Sequence, residues 1–395
     1  SFTVTFHFEP HSDPLEIWRN LAILPQHILA EVPAGELAGR PWAAQCPVGN
    51  GPFRFLSQVQ NESWTFGANS AFPQELGGRP YLDRYVYRYI PEHATLLAEL
   101  LTGGLDLFVQ MLPDQAVSAE AEGIGVRSYE YPAIFFIAWN SRVSKLSDPR
   151  VRRALTLGIN RPQLIEGVQL GRATLLNGSL PPAHWAFDPA LGDSLPYDPD
   201  RARGLLEAAG WVDRDGDGVR EDAQGNALQI ELIYNQNQER QRVAEIIRVQ
   251  LQEIGVELLP TMLDEATWGE RIQGADRAFE GSIITFETGF RIDDRDLFHS
   301  SVFDVEGSWA FSGTRDPVLD RYLDTLQLIP DRELAYPLWQ EYQLRLMELQ
   351  PYTFLYSAHR RNGVAPRLQN AVTDTRGDWA TIRNWWIAPE DREGN

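Results

Sequence analysis

Apolar and polar residues change their period along this chain, and the changes outline alternating strands and helices. Residues 1–9 alternate strictly, with Phe2, Val4, Phe6 and Phe8 on one side, which predicts a strand at the start. Pro25 opens a short helical run. The turn chemistry of Pro47, Gly49, Asn50, Gly51 and Pro52 feeds a strand from Phe53. Another strand is predicted over 85–90. Residues 92–101 read as a helix with Leu96, Leu97, Leu100 and Leu101 on one side; Gly103-Gly104 closes it, and 105–109 is a short strand. The same pattern recurs further on. A strand is predicted over 134–140, helices over 148–159, 161–170 and 198–209, and a strand over 228–234. Val243, Ile246, Ile247, Leu251 and Ile254 mark a helix over 239–254; Gly255 ends it and a strand begins at Val256. An irregular stretch over 285–312, dense in rings and acids, precedes helices over 317–328 and 331–348 and a strand over 351–356. Alternation of this kind makes an α/β fold.

Composition narrows what such a fold does. A net charge of −20 disfavours nucleic acid and anionic lipid as partners, since both require clustered cations. The single cysteine, Cys46, excludes an intrachain disulfide framework and a cysteine-cluster metal site. No stretch approaches the roughly 18–20 apolar residues of a membrane-spanning helix. Aromatic residues make up 11% of the chain, which suits either core filling or a surface that stacks on a solute.

Catalytic motifs are sparse. There is no Gly-x-Ser-x-Gly elbow, no dinucleotide or phosphate loop, and no His-Glu-x-x-His among the seven histidines. Paired carboxylates of a glycosidase remain open in a chain this acidic. The sharpest local pattern runs over 213–222. Asp213, Asp215 and Asp217 alternate, Gly218 follows and Glu221 comes later, as in a calcium loop. Gln224 stands where a closing glutamate would be needed, so a polar Asp-Gly turn is the expectation and no metal or other cofactor is assigned.

Several segments together resemble the extracellular solute-binding proteins of ABC importers, family 5, which includes oligopeptide- and dipeptide-binding members. They are Trp139-Asn140; Leu146-Ser147-Asp148-Pro149-Arg150-Val151-Arg152-Arg153-Ala154-Leu155; Gly158-Ile159-Asn160-Arg161; Leu180-Pro181-Pro182; and Tyr197-Asp198-Pro199 running to Ala209-Gly210-Trp211. Leu24 to Leu29, Val48 to Phe53 and Thr102 to Asp106 fit upstream, and 316–323, 331–346 and 351–356 fit downstream. Asn160 departs from the family's aspartate. The resemblance implies a periplasmic-binding-protein-like type II fold. Two α/β lobes are joined by a hinge that the chain crosses twice. Residues 1–130 belong to an incomplete lobe one, 131–356 form lobe two, and 357–395 return to lobe one. It implies a chain matching the C-terminal portion of a longer family member.

The function implied is capture of an oligopeptide in an interlobe cleft, and its delivery to an ABC permease in the membrane. An oligosaccharide is the alternative solute, a glycosidase-like enzyme using cleft carboxylates is the alternative of a different class, and a sensing module is a third reading. The expected setting is extracellular or periplasmic, as a monomer, with any lipid anchor carried by a segment outside this chain. The expected ligand contacts are Trp139 and Asn140, at the carboxyl end of a strand, and Phe286, Glu287, Asp293, Asp294 and Asp296. In oligopeptide-binding members an aspartate near the latter segment holds the peptide's α-amino group. Glu287 or Asp293 is favoured for that role. For each residue the structural alternative stands beside the functional one: a core ring for Trp139, a solvated loop for the acids.

Overall fold

The structure is a computed structural model, and it describes residues 5–8, 12, 24–39, 47–192, 194–288 and 294–392. Its strands, in chain order, are β1 (Phe53–Val59), β2 (Ser63–Ala68), β3 (Arg84–Arg88), β4 (Leu107–Phe108), β5 (Gly125–Glu130), β6 (Ala133–Trp139), β7 (Ala173–Leu175), β8 (Gln229–Asn235), β9 (Glu257–Leu263), β10 (Gly281–Glu287) and β11 (Tyr352–Val364). The helices used below are α1 (His93–Thr102), α2 (Pro149–Leu157), α3 (Arg161–Gln169), α4 (Pro199–Ala208), α5 (Gln238–Gln252), α6 (Glu265–Gln273), α7 (Pro317–Leu326) and α8 (Arg332–Leu349). The chain divides into two compact units. A flanking unit holds the described parts of Ile17–Tyr129 and Arg360–Asn395, and a central unit holds Glu130–His359 with the described residues of 1–16.

In the flanking unit β1, β2 and β3 form an antiparallel sheet. The register sets Phe55 opposite Phe66, and Phe66 opposite Tyr85. Residues paired across strands share a face, so the rings line up: Phe66 stacks on Tyr85 at 4.8 Å and Phe53 meets Tyr85 edge-on at 4.9 Å. Trp379 continues the row 6.1 Å from Tyr85. β4 and β5 pair with β11, and Leu100 of α1 packs with Phe108 and Met111. Residues 5–8 are not a strand, and Phe6 and Phe8 stay exposed. Apolar alternation specifies a face, but a strand exists only where a neighbouring edge pairs with its backbone.

In the central unit the strand order is β11–β6–β10–β8–β9, with β7 on β11. β8 is parallel to β9 and to β10, whereas β6 is antiparallel to β10 and β11. Both faces of this sheet are covered. Ile137, Trp139, Leu232 and Ile283 face a core with Val151 and Leu155 of α2, Leu164 of α3 and Val243, Ile247 and Leu251 of α5. Ile134, Phe136, Ala138, Ile233 and Ile284 face a second core with Leu319 and Leu323 of α7 and Trp339, Tyr342 and Leu346 of α8. Successive strand residues point to opposite faces. A strand covered on both sides is therefore apolar at every position, which is why 134–139 reads as an unbroken run.

Helix starts follow local chemistry. Asp148, Asn160, Asp198 and Asn237 each accept a backbone N–H from the first turn of the helix they precede. Asn160 thus caps α3 although it departs from the family's aspartate. Arg161 is 2% exposed, and burial lowers its pKa to about 10, so it remains a cation at neutral pH. It donates to the carbonyls of Leu176 and Phe354 at 2.8 and 3.0 Å, to Asn177 Oδ1 at 2.6 Å and to the Leu195 carbonyl. One guanidinium, with donors in a fixed fork, thereby ties three chain segments together.

Candidate functional site

The direction of each strand decides which side chains reach the carboxyl edge of the central sheet. Asn235 of β8 pairs with Leu263 of β9, and β10 runs the same way as β8. The ends of all three strands therefore share one edge. β6 runs the other way: Glu287 lies opposite Ala133, and Gly281 opposite Trp139. Its start, beside Tyr131 and Pro132, adjoins the edge, while Trp139 and Asn140 lie six residues away, roughly 20 Å along the strand.

This overturns the expected placement of Trp139 and Asn140. Trp139 has no exposed surface, and its Nε1 donates to Thr353 Oγ1 at 2.8 Å. Asn140 is buried; its Nδ2 donates to the carbonyls of Arg277 and Phe279 at 3.0 and 2.8 Å, and its Oδ1 accepts from the Arg142 N–H at 3.2 Å. Both residues do structural work at the opposite edge. The carboxyl-end rule holds for parallel strands, and β6 is antiparallel.

At the carboxyl edge a narrow recess collects Phe286, Asp294 and Asp296 with Ser179, His184 and Thr288. Asp294 is 7% exposed, and its Oδ2 accepts from Ser179 Oγ and, at 2.9 Å, from Tyr342 Oη. His184 Nδ1 accepts the Ala186 N–H at 3.1 Å, which leaves the ring proton on Nε2. That Nε2 is buried with no hydrogen-bond partner among the described residues. Burial, with Arg332 nearby, lowers the His184 pKa to about 4, so the ring is neutral at physiological pH. Trp185 and Trp339 pack against it at 5.6 and 5.4 Å.

Glu287 stands beside the recess, exposed, and Oε2 accepts from Tyr131 Oη at 3.0 Å. Thr288 donates twice to the Pro132 carbonyl, from N at 2.8 Å and from Oγ1 at 2.9 Å. These bonds fix the end of β10 against the start of β6. Asp293 lies outside the described residues. Asn235 belongs to the same edge, where its Oδ1 accepts from the buried Arg240 at 2.6 Å and its Nδ2 donates to Glu265 at 2.6 Å.

Ser179 donates to a carboxylate, and the His184 acceptor nitrogen is taken by a backbone N–H, so neither forms a nucleophile–base pair. An exposed carboxylate such as that of Glu287 suits an ammonium group. Ser179 and His184 were not picked out as site residues in the sequence. The one local signal was Ser179 to Trp185, where prolines deny a helix and polar residues sit among rings.

The 213–222 loop lies elsewhere, at the amino ends of β8 and β9, where Arg220 N donates to the Gly255 carbonyl at 2.9 Å. Carboxylate oxygens of Asp213, Asp215, Asp217 and Glu221 lie within 4.8 Å of one another. Backbone N–H groups occupy several of them: Gly216 donates to Asp213 at 2.7 Å and Arg214 to Glu221 at 2.9 Å.

A mixed sheet with helices on both faces is an α/β arrangement shared with the periplasmic-binding-protein class. The chain belongs to the bacterial extracellular solute-binding proteins, family 5, whose middle-region model matches residues 2–298. It is 26% identical over 369 residues to the oligopeptide-binding protein AppA of Bacillus subtilis, covering 93% of this chain and 67% of AppA. It is 27% identical over 265 residues to the dipeptide-binding protein of Escherichia coli, covering 66% of this chain and 46% of that protein. The solved structure of Bacillus subtilis AppA in complex with a nonapeptide superposes with a TM-score of 0.78 at 25% identity, over 96% of this chain and 75% of that one. The chain thus spans between about half and two thirds of the curated relatives' lengths. No helix among the described residues is long and apolar enough to cross a membrane.

Proposed function

We propose that this chain captures an oligopeptide outside the cytoplasmic membrane and passes it to the permease of an ABC importer. The observation that carries the reading is the match, over 93% of this chain and 67% of the relative, to an oligopeptide-binding protein whose solved structure holds a nonapeptide. The ligand contacts lie at the carboxyl edge of the central unit's sheet. Phe286 gives an apolar surface at the recess. Glu287, exposed and anionic, takes the peptide's α-ammonium, with Asp293 the other acid for that role. Asp294 and Asp296 set the negative potential there, and Asp294, engaged by two hydroxyls, orders the recess. No bond is made or broken in the solute. The protein acts as a monomer.

Calorimetry and thermal shift with peptides and oligosaccharides side by side test the reading. A free-amine peptide stabilises the protein by binding the native state, and Glu287→Gln weakens that binding at least tenfold while sparing an N-acetylated peptide. Stabilisation by an oligosaccharide and by no peptide would move the reading to the sugar.

A further inference from the structure

The buried carboxylate of Asp378 holds both strands by which the chain enters and leaves the flanking unit. The chain leaves that unit at Tyr129 and returns at Arg360. Tyr129, on β5, donates its hydroxyl to Asp378 Oδ1 at 2.7 Å. Asn362, on β11, donates Nδ2 to the same oxygen at 2.6 Å. Arg360, also on β11, reaches Oδ2 at 3.4 Å. Asp378 is 6% exposed and Asn362 is fully buried. Burial and the bond to Asp378 push the Tyr129 phenol up, so it stays a donor at any physiological pH. Hydrogen bonds to a charged acceptor are about twice as strong as neutral ones, and a buried one is costly to leave half-made.

A second feature sits on the next residue. A tight turn, in which the Gly377 N–H donates to the Asp374 carbonyl at 2.8 Å, presents Asp378. Gly377 has φ of +124°, a conformation that favours glycine. Trp379 then packs on Tyr85 and Tyr87 of β3 at 6.1 and 6.2 Å. Adjacent side chains therefore join the passage strands β5 and β11 to the aromatic sheet β1–β3. Nothing in the capture site itself requires this.

We infer that Asp378 is a positioning residue: it clamps the two passage strands at a fixed spacing, so that they act as one pivot during solute capture. The role presupposes the capture reading above, because only a protein whose units move on binding needs such a pivot. Trp379 holds the clamp to the body of the flanking unit.

The test compares the wild-type chain with Asp378→Asn, Asp378→Glu and Tyr129→Phe by hydrogen exchange and by the kinetics of binding a free-amine peptide. Asp378→Asn is expected to speed exchange in β5 and in the Arg360 to Val364 part of β11 at least tenfold, leaving β8 to β10 unchanged. Peptide dissociation is expected to rise several-fold, and Asp378→Glu to restore part of both. Unchanged exchange in β5 and β11, or faster exchange with wild-type peptide kinetics, overturns the role. If Asp378→Asn does not fold, Tyr129→Phe decides by the same two readouts. Failure of the wild-type protein to bind peptide is seen before any variant is made; it sinks the capture reading and, with it, the need for a pivot.

Discussion

Ser357 Oγ donates to the carbonyl oxygen of Tyr131 at 3.2 Å, joining residues 226 positions apart in the chain. Each stands within three residues of a point where the chain passes between units. Ser357 is 1% exposed, yet the Tyr131 carbonyl also accepts from the Ala133 N–H at 2.7 Å. Ser357→Ala therefore leaves no orphaned acceptor, and a loss of about 0.5–1.5 kcal/mol is expected in urea unfolding. A loss beyond about 3 kcal/mol would show that the hydroxyl does more than bond this carbonyl.

Trp139 belongs to the core, so its removal is felt in stability. Trp139→Ala is expected to cost about 3–5 kcal/mol, while the folded fraction keeps its peptide affinity. Gly281 makes a companion test. A Cβ there would lie 2.7 Å from the Trp139 ring, and Gly281→Ala is expected to cost about 1–3 kcal/mol by overpacking. A drop in peptide affinity for folded Trp139→Ala would return this residue to the site.

Helices and strands of the central unit were legible because their signals are local. Asp148-Pro149 and Asp198-Pro199 announce α2 and α4 through a capping carboxylate and a preset φ, and the period of Val243 to Leu251 carries α5. The site was legible only in part, and for one reason. Whether Trp139 or Glu287 stands at the carboxyl edge depends on β6 pairing antiparallel with β10, more than a hundred residues later. Alternation fixes which face a side chain takes and says nothing about which way the strand runs. Ser179 meets Asp294 by a hydrogen bond across 115 residues and His184 lines the same recess, so no window of sequence contained it.

His184 gives a pH signature. Its pKa is lowered to about 4 in the folded protein, against an ordinary 6.5. The unfolded chain thus takes up a proton first as pH falls. The neutral, buried ring contributes its full stability above pH 6.5 and loses it progressively between pH 6.5 and 4, by on the order of 3 kcal/mol. His184→Phe should flatten that part of the profile. Parallel wild-type and variant curves over pH 4–6.5, from urea melts, would count against the burial argument.

The acidic loop should be separable from solute capture. It lies at the amino ends of β8 and β9, and its carboxylates already accept backbone N–H groups. The double variant Asp213→Asn with Asp215→Asn is expected to bind peptide with nearly unchanged affinity in calorimetry. A tenfold loss would place the loop in the site.

β6 has no residue to spare: Ile134 to Trp139 fill two cores in alternation, one side chain to each in turn. Drift along this strand is bounded by volume, because each change must be absorbed by a packed layer above or below. The segment that follows β8 faces no such limit, since Gln236 to Gln238 are exposed, and so is Glu287 at the end of β10. Substitutions at that edge can therefore change its chemistry without disturbing the frame.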